Sequence, residues 1–270
     1  MPGALPLAKP SSFHPVGVFD SGLGGLTILE TLRERLPEED FIYFADTAYL
    51  PYGDKPEEVI RARSLAIANN LIERGAKAIV VACNTATAAA AESLRAAIEL
   101  PVIALEPAVK PAVALSRSGL IGVLATTRTL YSRRFERLVE THAPNARIFA
   151  QPCPALAETI EQEGAKGRTV EELLDRYVRP LAMAEVDVVV LGCTHYPWVR
   201  PAIAARLGKG VQIIDSGEAV ARQVEKRLQE ESSLGGGGTL RLATSGNPEI
   251  VGETIQRLCG FQPAVEYWKI

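Results

Sequence analysis

Cys83 and Cys193 each close a run of apolar residues and each open onto hydrogen-bonding side chains. Ala78-Ile-Val-Val-Ala leads into Cys83-Asn84-Thr85, and Asp187-Val-Val-Val-Leu-Gly leads into Cys193-Thr194-His195. A lone cysteine in such a place is ordinarily a small buried hydrophobe. Two in matching places read as a pair. A helix starting just after each strand would lower the thiol pKa from its reference of about 8.5, and neighbouring Asn, Thr and His side chains can hydrogen-bond a thiolate. Two thiols on opposite faces of a substrate suit proton exchange at carbon: a thiolate removes one proton and a thiol returns another from the far side. The enantiomers of a free amino acid have equal energy, so such a substrate needs equal service on both faces. Its α-proton is far less acidic than a thiol, and the carbanion must be stabilised by proximity, desolvation and fixed donors. Ser21, Asn84, Thr85 and Thr194 are the candidate donors.

Other polar residues gather at strand ends, where open α/β sheets bind ligands. The turn Asp20-Ser-Gly-Leu-Gly-Gly25 lets a substrate approach backbone amides, with the Asp20 carboxylate beside it. A nucleotide loop is the rival reading, but the Lys-Ser/Thr of a phosphate loop is missing and Thr27 stands where a dinucleotide fingerprint needs its third glycine. A plain strand-to-helix turn stays open. His195 can orient Cys193 or relay its proton, or be an ordinary structural histidine. Tyr52 and Gly53 lie in a loop after the second strand, where Tyr52 either touches substrate or caps the surface. Cys153 and Cys259 lack comparable company and are assigned to packing. No metal is expected, since His14 and His142 have no ligand-like spacing. No cofactor is expected either.

Elements that could hold these residues are legible as apolar runs of strand length alternating with amphipathic stretches of helix length, the pattern of parallel sheets with crossover helices. Strands are expected at 16–19, 41–45, 78–82, 102–105, 120–124, 147–150, 186–191, 211–214 and 240–243. A helix follows the glycine turn, with Leu26, Leu29, Leu32 and Leu36 on one face and Pro37 stopping it. Another runs from Pro56, with Glu57 and Glu58 in its first turn, to Gly75. The glycines at 235–238 read as a flexible connector.

The segments around Cys83 and Cys193 resemble each other 110 positions apart, and Val16-Gly-Val-Phe-Asp-Ser resembles Ile121-Gly-Val-Leu-Ala-Thr 105 positions apart. Chance likeness of short Val/Ile-rich strands is the alternative, yet near-equal displacements favour an internal duplication. The expected fold is therefore α/β: two pseudo-symmetric α/β domains with mainly parallel sheets and the active site in the cleft between them. The 270 residues suit two domains. With 47% hydrophobic and 23% charged residues the chain has the composition of a globular protein. A net charge of -3 and a pI near 5.8 leave no basic stripe for nucleic acid. Residues 1–15 read as a loose cytoplasmic leader, too short of apolar residues for a signal core or a membrane span.

Together, Phe19-Asp-Ser-Gly-Leu-Gly-Gly25, Leu50-Pro-Tyr-Gly53, Val81-Ala-Cys-Asn-Thr-Ala86 and Leu191-Gly-Cys-Thr-His-Tyr-Pro197 resemble the aspartate, glutamate and hydantoin racemase family. The likeness runs from about Val16 to the end of the chain, and the two cysteine motifs are specific when found together. It implies that Cys83 and Cys193 are the two bases, nominally facing the D- and L-enantiomer. Asp20 would then assist Cys83, while His195 and Glu161 assist Cys193. Glu158 and Glu163 are neighbours that compete with Glu161 for that role. Substrate contacts are implied at Asp20, Ser21, Tyr52, Gly53, Asn84, Thr85, Thr194 and His195. Cys-Thr-His rather than Cys-Thr-Glu after the second strand favours glutamate over aspartate as the small-molecule partner, and D-glutamate for peptidoglycan as the purpose. The implied domains are 1–104 with 217–270, and 105–216, the C-terminal segment returning to complete the first. No nucleic acid or membrane partner is implied, and a homodimer is compatible with the reading. The leader and the 235–238 connector depart from the family pattern without touching the motifs.

Overall fold

A computed structural model describes residues 14–270; most of the expected leader, residues 1–13, lies outside the described part. Strands β1 (Val16–Asp20), β2 (Phe41–Ala45), β3 (Ala78–Val81) and β4 (Val102–Ala104) precede β5 (Leu120–Ala125), β6 (Arg147–Pro152), β7 (Val188–Gly192) and β8 (Gln212–Ile214). The chain then returns through β9 (Leu240–Thr244) and β10 (Val265–Tyr267). Every pairing is parallel, in one sheet of order β10-β9-β2-β1-β3-β4 and another of order β6-β5-β7-β8. The order β2-β1-β3-β4 is repeated in β6-β5-β7-β8, so β1 corresponds to β5 and β3 to β7. Those are the strands whose sequences resemble each other.

The nine expected strands are all present, with no end displaced by more than two residues. The tenth, β10, was not foreseen: Val265-Glu-Tyr is a three-residue edge strand, half exposed, with no apolar run to mark it. Central strands such as β1, β3 and β7 are wholly buried, which explains the Val/Ile/Leu-rich runs of β3 and β7.

Helices α1 (Leu26–Arg35), α2 (Glu57–Glu73), α3 (Asn84–Ala97) and α4 (Val109–Leu115) follow the first four strands, the last leading into β5. Beyond β5 come α5 (Thr127–Leu130), α6 (Arg133–His142), α7 (Leu156–Glu163), α8 (Arg168–Met183) and α9 (Arg200–Leu207). Then come α10 (Gly217–Glu230) and α11 (Pro248–Cys259). The first sheet is packed on both faces, by a layer with Leu29, Leu32 and Val224 on one side and Ile67, Leu71 and Leu94 on the other. The second has its own two layers, around Leu174 and Val178 and around Val109 and Phe135. None of the described helices is long and apolar enough to cross a membrane.

The 235–238 segment is not the flexible connector its composition suggests. Asp40 accepts hydrogen bonds from the N–H groups of Gly237 and Thr239 and from the Thr239 hydroxyl, while Glu39 accepts from Gly235 N–H. These donors hold the Asp40 carboxyl below its usual range although burial opposes them. Gly236 packs against the Asp40 side chain, leaving no room for a Cβ. Here glycine serves close approach rather than freedom.

Candidate active site

Asp20 ends β1, Cys83 follows β3, Thr126 follows β5 and Cys193 follows β7, so each of the four corresponding strands delivers a polar residue to the gap between the sheets. All four line one cleft, together with Ser21, Tyr52, Gly53, Asn84, Thr85, Thr194 and His195. Open parallel sheets bind ligands beyond the carboxyl ends of their strands, and here those ends of the two sheets face each other.

The glycine turn explains how the halves come so close. A Cβ at Gly22 would collide with the Glu161 carboxylate, and one at Gly24 with His195 and the Thr194 hydroxyl. Across this contact Leu23 N–H donates to Glu161 Oε1 at 2.6 Å and the Thr27 hydroxyl donates to Thr194 O at 3.0 Å. Asp20 is almost wholly buried, accepting from Ser21 N–H and Gly25 N–H at 2.6 Å each, with the Thr194 hydroxyl at 3.4 Å. Burial raises its carboxyl pKa, against the pull of His195 and of the donors around it.

Cys83 caps the start of α3, its Sγ accepting from Ala86 N–H at 3.4 Å and lying 3.5 Å from the Ser21 hydroxyl. The helix N-terminus does not make it acidic, contrary to expectation. Burial and the adjacent Asp20 charge push its pKa well above the usual thiol value, outweighing the Ser21 and Ala86 donors. Cys193 differs in both respects. No α-helix begins at it; a 3-10 turn, Tyr196–Val199, comes first and α9 only afterwards. What stands beside it is His195, with Nδ1 3.7 Å from Sγ and Nε2 2.6 Å from Glu161 Oε1. For His195, burial lowers the pKa, but Cys193 and Glu161 raise it more, and the net shift is well upward.

The structure separates the three glutamates that sequence left competing. Glu161 is buried at the end of α7 and meets His195, whereas Glu158 lies on the cleft wall and Glu163 accepts from Thr169 N–H near the start of α8. Tyr52 is no surface cap: it is buried, its hydroxyl donating to Asp46 at 2.6 Å, and Arg63 grips the same carboxylate. Only its ring and backbone are left for the cleft. Cys153 is packed as expected but also lines the cleft, while Cys259 is exposed at the end of α11 rather than packed. Thr85 and Thr126, from opposite halves, lie hydroxyl to hydroxyl at 3.0 Å.

A family model for the Asp/Glu/hydantoin racemases matches residues 26–224. The chain belongs to this racemase family. It is 46% identical to a glutamate racemase of Stutzerimonas stutzeri over 94% of this chain and 97% of that one. Among solved structures, a glutamate racemase isoform of Bacillus anthracis superposes with a TM-score of 0.88 at 30% identity, covering 96% of this chain and 98% of that one. The glutamate racemase of Escherichia coli, solved in complex with L-glutamate, superposes with a TM-score of 0.84 at 32% identity, covering 94% and 98%.

Thr126 and Asp46 were missed from the sequence. Thr126 had a signal, since the internal repeat aligns it with Ser21. Asp46 had none, because its role depends on Arg63 arriving from α2.

Proposed function

We propose that this chain interconverts L- and D-glutamate without a cofactor, with Cys83 and Cys193 as the two bases. The observation that carries the reading is that both thiols, each delivered by a corresponding strand of its sheet, open onto one cleft. Relatives named for glutamate support the choice of substrate. Starting from L-glutamate, the Cys193 thiolate takes the α-proton and becomes a thiol. The electron pair left on carbon is stabilised through the α-carboxylate by donors at the strand ends, and Cys83 delivers its thiol proton to the opposite face. D-glutamate leaves with Cys83 as thiolate, and the reverse turnover or proton exchange with solvent restores the starting state.

In this reading Asp20 assists Cys83, and His195, held by Glu161, assists Cys193. Ser21, Tyr52, Gly53, Asn84, Thr85 and Thr194 contact the substrate together with Asp20 and His195. Among the described residues the buried Asn84 Oδ1 has no hydrogen-bond partner, which leaves it free to accept from a substrate ammonium. The chain divides into domains 1–104 with 217–270 and 105–216, a division supported by the membership of the two sheets. The enzyme is cytoplasmic, supplies D-glutamate for peptidoglycan, and assembles as a homodimer, which light scattering on the purified protein tests.

Purified protein without pyridoxal phosphate should abolish the circular dichroism of L-glutamate and, in deuterium oxide, introduce deuterium at Cα. Cys83→Ser and Cys193→Ser should each lose at least about a thousandfold in kcat, on the scale of removing a nucleophile or base. No turnover by intact, reduced protein removes the reading; turnover of aspartate alone transfers it to an aspartate racemase.

A further inference from the structure

Glu161 sits at a junction. Its Oε1 accepts from Leu23 N–H at 2.6 Å and lies 2.6 Å from His195 Nε2, so one oxygen serves the glycine turn of the first sheet and the histidine beside Cys193. One oxygen can serve both partners only while it is aimed at both, because a hydrogen bond weakens steeply once its angle falls below about 120°. The carboxylate therefore depends on whatever fixes the last turn of α7.

That turn is held from outside. The Arg257 Nη2 donates to the main-chain carbonyl of Glu161 at 2.5 Å and to the Thr254 hydroxyl at 3.2 Å, and its aliphatic stem lies over Gly164, the residue that ends α7. Neither bond goes to a carboxylate. Arg257 is carried by α11, which packs against β9 and β10, the returning edge of the sheet that carries Asp20. It also lies beyond residue 224, where the match to the family model ends.

We propose that Arg257 is a positioning residue for the Cys193 half of the reaction: it fixes Glu161, and through Glu161 sets His195 against Cys193. The inference rests on the two-thiol reading above. It makes α11, an element of the first sheet's layer, part of the machinery around the thiol of the second.

The test compares wild type, Arg257→Met, Arg257→Lys, Glu161→Gln and the Arg257→Met/Glu161→Gln double variant. Racemisation is followed by circular dichroism, and iodoacetamide labelling at fixed neutral pH is resolved by peptide mass spectrometry into Cys193 and Cys83. Arg257→Met should lower kcat about tenfold with KM within about twofold, as misplacement without loss of binding does. It should slow labelling of Cys193 several-fold and leave Cys83 unchanged. Arg257→Lys, which keeps a donor, should restore most of both. The double variant should be no slower than Glu161→Gln, because removing the carboxylate removes what Arg257 positions. Wild-type kcat and labelling in Arg257→Met, equal slowing at both thiols, or additive losses in the double variant would each overturn the proposal. Arg257→Gln repeats the test should Arg257→Met not fold. If wild type fails to racemise glutamate the functional reading falls, while the ratio of labelling at the two thiols still decides this one.

Discussion

At the scale of single residues the two thiols are not equivalent. Cys83 has a carboxylate for a neighbour and a pKa pushed well up by burial and that charge, so it is a thiol at neutral pH. Cys193 has an imidazole that burial disfavours as a cation but that Cys193 and Glu161 keep protonated. The thiolate is the nucleophile, so a cysteine held as a thiol, as burial and Asp20 hold Cys83, reacts slowly. At neutral pH iodoacetamide should therefore modify Cys193 at least several-fold faster than Cys83, and equal rates would contradict this asymmetry. A pH dependence follows with a definite sign. His195 is raised above its unfolded value of about 6.5, so its bonds stabilise the folded protein fully below that pH and progressively less as pH rises through the raised value. Glu161→Gln removes one cause of the rise. The imidazole should then lose its proton at lower pH, read by NMR of the ring nitrogens, and the alkaline limb of kcat/KM should move down with it.

At the scale of elements, reactivity depends on how strands end. Continuous Val/Ile/Leu runs made the central strands legible, and the cysteines, Asp20 and the glycine turn could be placed at their ends from sequence alone. What could not be read is what arrives from elsewhere. Gly22 and Gly24 look like ordinary turn glycines until Glu161, His195 and Thr194 are seen pressed against them from the other sheet. Cys193 was expected at a helix start and instead precedes a 3-10 turn that carries Pro197 near its start and buries Tyr196. Arg257, more than 90 residues from Glu161 in sequence, gave no local signal. Gly24→Ala isolates the contact itself. The added Cβ would meet the His195 ring and the Thr194 hydroxyl, so the halves cannot seat as they do. Racemase activity should fall by about a hundredfold or more while far-ultraviolet circular dichroism stays unchanged. Retained activity would show that the turn yields to accommodate a methyl group.

At the scale of the whole molecule, each sheet has its own pair of hydrophobic layers, and residues at the cleft supply hydrogen bonds between the sheets. Stability and closure should therefore be separable. Trp268, just beyond β10, is the place to test this. It stacks on Phe44 with ring centroids 5.8 Å apart, donates its indole N–H to Glu266, and lies within cation–π distance of the Arg74 and Arg241 guanidiniums. All of these partners belong to the first sheet or the helices on it, so Trp268→Ala opens a cavity in that half alone. A buried tryptophan truncated to alanine costs about 3–5 kcal/mol. Amide hydrogen exchange in β1 and β2 should accelerate by at least about a hundredfold, as that loss of local stability requires. The amides of β5 and β7 should keep their protection, since no atom of the second sheet's layers is removed. Equal acceleration in both sheets would mean that the halves unfold as one cooperative unit, with the contacts at Glu161 and Thr27 strong enough to couple the two cores.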